Sequence, residues 1–271
     1  MKKQRQLPHF APALFALLAP LVFSTSAYSA SGDAASAEQI AFEQANQRAW
    51  TPTFEDSCRD DWTRQWFLDG EVGTVTNTPQ GMELKSGPEY KNNAHHMVLW
   101  TKESFEGDLK IEYEFTRLDT DGIGVFILYI QATGYGGEGF AEDITEWSDY
   151  RKVPTMGKYF KNMDTYHVSY ACGYIRGRRY NTEVQRMNGH SELVPDYENV
   201  DDIFEPGVPH KVTFIKTDRA ISLKVENEET TRYFHLDNED WDIVTHGRIG
   251  LRQMYTKWGR YADFKVSVPD S

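Results

Sequence analysis

The sequence predicts an all-β fold, a sandwich or barrel occupying one domain. From Trp50 onward, short runs of alternating apolar and polar residues are broken by Gly, Pro, Asn and Asp, as in chains of strands and turns. No stretch longer than Ser36–Arg48 keeps a helical period. Hydrophobic residues make up 39% of the 271 positions and aromatic residues 14%, enough for a sizeable core and too many for a disordered chain.

The elements follow in order. Lys2, Lys3 and Arg5 precede an apolar run from Phe10 to Phe23 that Pro12 and Pro20 interrupt, and small residues follow up to Ala30. This is the pattern of a secretory leader over residues 1–30, too short and too rich in Pro to span a bilayer. A periplasmic or secreted protein is expected, with no membrane partner once the leader is cleaved. Residues 31–49 read as a linker or short helix, and residues 50–271 as the β domain. Expected strands are Trp66–Asp69, Gly81–Leu84, Met97–Thr101, Leu109–Arg117, Ile123–Gln131, Tyr166–Ala171, His210–Thr217, Ala220–Glu226, Thr231–His235, Arg248–Met254 and Arg260–Val268.

Charge excludes one class of partner. With 29 Lys+Arg against 41 Asp+Glu the chain is net acidic, and a net-acidic surface repels nucleic acid. Against that background, Tyr150–His190 is basic. Arg151, Lys152, Lys158, Lys161, Arg176, Arg178, Arg179 and Arg186 face only Asp164 and Glu183 there, with tyrosines interleaved. A groove for an anionic polysaccharide and a face of solvated ion pairs are both compatible with this composition. Period-two alternation puts Phe126, Leu128 and Ile130 on one face of their strand and Tyr129 and Gln131 on the other. It likewise puts His167 and Ser169 opposite Val168. A sheet face of Tyr, Gln, His and Ser suits the floor of a sugar groove.

Motifs for metals, nucleotides and hydrolase elbows are missing from the sequence, so no cofactor or metal is expected. Glu142 and Glu146 superficially resemble a glucanase pair, but Asp143 lies off the face they would share. Cys58 and Cys172, in an exported chain, are either a disulfide or two separate buried thiols.

Several segments resemble a known family. These are Trp66–Gly70, Val98–Thr101, Gln131–Gly134, Asp143–Trp147 with Arg151, Val153–Met156, Asn162–Tyr170 and Gly250–Met254 before a closing strand. Together they are similar to the YesU-like bacterial family, and the resemblance implies a concanavalin A-like, galectin-type jelly-roll β-sandwich. It also implies a place among proteins that use pectin-like uronic acid polymers. On these grounds the expected activity is a lyase that cleaves such a polymer by β-elimination. The alternatives are a non-catalytic glycan-binding module and, less well supported, a glycoside hydrolase. For the lyase, His167 or His96 would be the base, Tyr129 or Tyr180 the acid or an alternative base, and Arg176 the partner of the substrate carboxylate. Gln131, Trp147, Arg151, Ser169, Arg178, Arg179 and Arg252 complete the expected substrate groove. The sequence leaves the oligomeric state open.

Overall fold

The computed structural model describes residues 34–122, 124–181 and 191–270. The leader expected at residues 1–30, and Arg186 of the basic stretch, lie outside the described residues. Among the described residues the strands, numbered in chain order, form two antiparallel sheets. The first runs, in spatial order, β13 (Thr231–Asp237), β12 (Ala220–Glu226), β11 (Pro209–Lys216), β6 (Leu109–Arg117), β15 (Trp258–Pro269), β4 (Gly81–Lys85) and β3 (Thr74–Thr78), with β1 (Trp50–Asp56) also on β15. The second runs β10 (Tyr197–Val200), β9 (Gly173–Tyr180), β8 (Met163–Tyr170), β7 (Phe126–Gly134), β14 (His246–Gln253), β5 (Met97–Glu106) and β2 (Trp66–Asp69). The result is the predicted β-sandwich.

Strand alternation builds the core. Phe115 and Tyr261 of the first sheet meet Phe126, Leu128, Val168, Tyr170 and Leu251 of the second, all essentially unexposed. Each such side chain contributes on the order of 1.5–3 kcal/mol when removed from water. The sequence missed four strands: β1, β3, β9 and β10. Strand β9 reads Gly-Tyr-Ile-Arg-Gly-Arg-Arg-Tyr and presents little apolar side chain to the core. Ile175 supplies that surface, while at Gly177 the backbone itself packs against Leu193 and Leu236.

Residues 31–49 contain a true helix, α1 (Ala37–Asn46), capped by Ser36, whose Oγ accepts from the Gln39 amide at 3.2 Å. Its Phe42 packs on Tyr233 of β13, so α1 belongs to the same compact unit as the sandwich. The β7–β8 connection matters more for function. It forms a 3-10 segment (Ile144–Arg151) and a second helix, α2 (Met156–Asn162), neither visible as a helical period in the sequence. Ile144, Trp147, Met156, Tyr159 and Phe160 pack on Val98, Trp100, Ile127, Tyr129 and Tyr180, roofing the outer face of the second sheet.

The cysteines are not bonded to each other. Cys58 follows β1, where its amide donates to the Asp56 carboxylate at 2.7 Å, whereas Cys172 sits in the β8–β9 turn beside the Tyr174 carbonyl. Of the two readings left open, the structure has the separate thiols.

Candidate functional site

The outer face of the second sheet gathers most of the expected site residues. Strand pairing sets them in rows, because residues directly opposite each other on adjacent antiparallel strands share a face. One row runs Arg178–His167–Tyr129–Gly250–Trp100 from β9 to β5. The next runs Arg176–Ser169–Ile127–Arg252–Val98–Asp69 from β9 to β2.

A continuous polar seam crosses these rows beneath α2. The His167 ring bonds the Ser169 hydroxyl through Nε2 at 2.7 Å and the Tyr180 hydroxyl through Nδ1 at 2.5 Å. Tyr129 stands edge-on to His167, their ring centroids 5.6 Å apart. The Met156 thioether caps both phenols, its Sδ 3.7 Å from the Tyr129 hydroxyl and 3.6 Å from that of Tyr180. Arg252 lies over the Tyr159 ring and donates to His96 Nδ1 and the Pro154 carbonyl, each at 2.7 Å. At the far end Asp69 accepts from Trp100 Nε1 at 2.7 Å, Arg151 Nε at 2.6 Å and the Tyr159 hydroxyl at 3.1 Å.

Burial sets the protonation states. It holds the His167 imidazole well below its ordinary pKa, and the guanidiniums of Arg178 and Arg252 add to the effect. Burial, with Arg252 alongside, pulls His96 down to about 3. It pushes the phenols of Tyr129 and Tyr180 up, against the pull of Arg252. At neutral pH the seam therefore holds neutral imidazoles and protonated phenols. Its donors are also under-used. Arg252 Nε and Nη1, both terminal nitrogens of Arg151 and Arg178 Nε are buried without an acceptor. Such a set of N–H groups suits a carboxylate.

The structure therefore unites His167, Tyr129, Tyr180, Ser169 and Arg178, with Arg252 and His96 adjoining, and corrects the rest. Arg176 shares the face, but its guanidinium is held by Asp196 at 2.6 Å and Glu198 at 2.8 Å. Arg179 points to the core side, where Nε donates to the Asp242 carbonyl at 2.8 Å and the side chain is buried. Arg151 is wholly buried against Asp69 and stacked on Trp147, so neither is free to meet a ligand at the surface. Gln131 leaves the outer face altogether. A bulge in β7 gives it a φ of +57°, and its amide turns to the carbonyls of Phe105, Gly107 and Thr245. Among the described residues the basic stretch is thus spread over a 3-10 segment, a helix and two strands.

Glu142 and Glu146 lie exposed on the roof segment. Asp143 caps the 3-10 turn, accepting from the Thr145 amide at 2.9 Å, and pairs with Arg248 at 3.1 Å. The sequence reading overlooked Asp69, Trp100, Tyr159 and Met156. For Asp69 and Trp100 the signal was available, because alternation in β2 and β5 sends both away from the core.

Comparison with known proteins places the fold. The model of a family described only as a domain of unknown function, DUF1961, matches residues 54–266. The chain belongs to DUF1961. Its match spans β1 to β15, roof included. The DUF1961 chain is 20% identical over 206 residues to the uncharacterized protein YesU of Bacillus subtilis (strain 168), covering 75% of this chain and 89% of YesU. A solved Bacillus subtilis protein of unknown function with a galectin-like fold is 18% identical, with a TM-score of 0.60 over 82% of this chain and all of that one. Lectin II from Ulex europaeus shares the sandwich at 6% identity and a TM-score of 0.50, covering 80% of this chain and 99% of the lectin. The galectin-like, concanavalin-type fold is therefore established, as the resemblance implied.

Proposed function

We propose that this DUF1961 chain is an exported enzyme that cleaves a uronic-acid-containing polysaccharide by β-elimination. The observation that carries the reading is the seam itself, which sets neutral His167 between hydroxyls and beside two arginines with unused donors. β-Elimination needs those three kinds of group. Arg178 and Arg252 would bind the uronate carboxylate and stabilise the charge that develops on it. Tyr180, relaying its proton to His167 Nδ1, would take the proton from C5. The C4–O bond then breaks as the C4–C5 double bond forms, and Tyr129 protonates the departing oxygen. Arg178, the cross-strand partner of His167, takes the role expected of Arg176, because two carboxylates hold Arg176 at 2.6 and 2.8 Å while Arg178 has one, Glu192, at 3.7 Å and keeps its Nε–H without an acceptor. The fold it shares with lectin II supports a glycan as the partner. The leader in the sequence supports export, checked by the N-terminus of protein recovered from the periplasm or medium.

Because Tyr129 and Arg252 are fully buried, the first capped by Met156 and the second bonded to the Pro154 carbonyl, the Pro154–Met156 turn must lift for a sugar to reach them. The same cap favours a second reading, in which the face binds glycan without chemistry. Purified protein is to be incubated with a panel of uronic acid polysaccharides while double-bond absorbance and reducing ends are followed. Rising absorbance with chain scission, lost in a folded His167→Ala variant, is expected. Reducing ends without that absorbance would mean hydrolysis instead. Saturable calorimetric binding without either product would leave the binding module standing.

A further inference from the structure

We propose that Ser169 is a nucleophile and that Ser169, His167 and Tyr180 form a relay for hydrolysing short acyl esters. The elimination proposed above makes no use of Ser169. The relay stands on its own geometry, while the identification of its substrate as an O-acetylated glycan rests on the proposed function.

The argument starts from two hydrogen bonds to one ring. Ser169 and His167 are two residues apart on β8, so both point outward, and Oγ lies 2.7 Å from Nε2. The other ring nitrogen lies 2.5 Å from the Tyr180 hydroxyl on the neighbouring strand. The relay uses the tautomer opposite to the one the elimination uses: with the proton on Nδ1 donated to the tyrosine oxygen, Nε2 presents its lone pair to the serine hydroxyl, the order nucleophile–base–orienting group. The Tyr180 hydroxyl then donates onward to Met156 Sδ at 3.6 Å, so every proton in the chain has an acceptor. A neutral imidazole is what a general base requires, and burial enforces it. Arg178, opposite His167, turns one terminal nitrogen to Glu192 at 3.7 Å, and its buried Nε–H has no acceptor, a donor available to an oxyanion. Ser169 retains 6% exposure and His167 4%, which leaves the hydroxyl at the edge of the roof and limits the acyl group to a small one.

The step balances. The Ser169 oxygen bonds to the acyl carbon as its proton passes to Nε2, and the alcohol oxygen leaves with that proton. Water then attacks the acyl carbon, gives a proton to Nε2 and releases the carboxylic acid, restoring the serine hydroxyl. Tyr180 is a positioning residue here, since its hydroxyl meets the imidazole and the Met156 cap and not the acyl group.

The test uses the full exported chain with diisopropyl fluorophosphate and 4-nitrophenyl acetate. Phosphorylation of Ser169, located by peptide mass spectrometry, is expected, together with acetate release. His167→Ala should slow both by on the order of 10²–10⁴-fold, the usual contribution of a general base. Tyr180→Phe should shift the pH profile of labelling without removing the label. A folded protein, shown native by circular dichroism, whose Ser169 stays unlabelled overturns the proposal. Ester hydrolysis that persists in Ser169→Ala overturns it equally. The elimination assay is run on the same preparation. Labelling without double-bond absorbance would keep the esterase and remove the lyase, and the converse would do the opposite.

Discussion

Asp69 and Arg151 form an ion pair at 2.6 Å in which neither side chain is more than 1% exposed. The pair ties β2 to the end of the 3-10 segment, 82 positions later in the chain. It is the charged bolt between the roof and the sheet. Trp100 and Tyr159 donate to the same carboxylate oxygen, so four segments meet at one atom.

Removing one partner should therefore be costly. Asp69→Ala leaves a guanidinium buried without a counter-charge, and such losses typically cost about 3–5 kcal/mol. Urea unfolding followed by tryptophan fluorescence measures it. A paired replacement, Asp69→Leu with Arg151→Met, should be less destabilised than Asp69→Ala, because no bare charge remains. If the single variant lies within about 0.5 kcal/mol of wild type, as a surface substitution does, the bolt carries no load.

Acid should weaken the fold through the seam histidines. His96 titrates near 3 in the fold, and an unfolded histidine titrates at about 6.5. Between those values the unfolded chain binds the proton and the native chain does not, so stability falls as pH falls. The slope is at most about 1.4 kcal/mol per pH unit for each such histidine. His167, also depressed by burial, adds in the same direction. His96→Gln should flatten the decline between neutral pH and mildly acid buffer, as read by urea midpoints at each pH. An unchanged slope in that variant would exclude His96 as a source.

Much of this site was legible because β-strands alternate. The faces of Tyr129, His167 and Ser169 follow from Val168 and Leu128 being core residues. Gln131 escaped the rule because one bulge after Ile130 reverses the alternation, and nothing in Ile-Gln-Ala-Thr marks it. The roof was hidden for a different reason. The α2 segment is seven residues long, its 3-10 neighbour eight, and neither repeats apolar residues often enough to show a period. Burial of the arginines was hidden as well, because a guanidinium in a sequence carries no sign of the carboxylate or aromatic ring it will meet. Family resemblance supplied the jelly roll, which period two alone left as a sandwich or a barrel.

The thiols should be inert. Burial pushes Cys58 up to about 12 and Cys172 up to about 11, so neither forms appreciable thiolate at neutral pH. Native protein should react slowly with a disulfide reagent, and both cysteines should react at once in urea. Because the two are unbonded, thermal unfolding should be insensitive to dithiothreitol. A midpoint that drops on reduction would show that the protein carries the bond after all.

Gly250 is the floor on which the seam is laid. It pairs with Trp100 on one side and Tyr129 on the other, and the indole lies flat across it, stacked on Tyr129 with centroids 5.4 Å apart. A Cβ at this position would fall 2.4 Å from Trp100 Cζ3, closer than packed atoms allow. The ring cannot tilt away freely, because its Nε1 is held by Asp69 at 2.7 Å and Tyr159 lies 6.4 Å away in the same stack. Gly250→Ala should therefore destabilise by about 1–3 kcal/mol, the usual cost of overpacking, with near-ultraviolet dichroism reporting the displaced indole. Ala substitution at Gly107, which has open space around it, provides the contrast. Its positive φ of 71° makes any cost there one of backbone strain, so the aromatic signal should stay unchanged. If Gly250→Ala keeps both wild-type stability and the aromatic signal, the indole is not pinned between Asp69 and the strand.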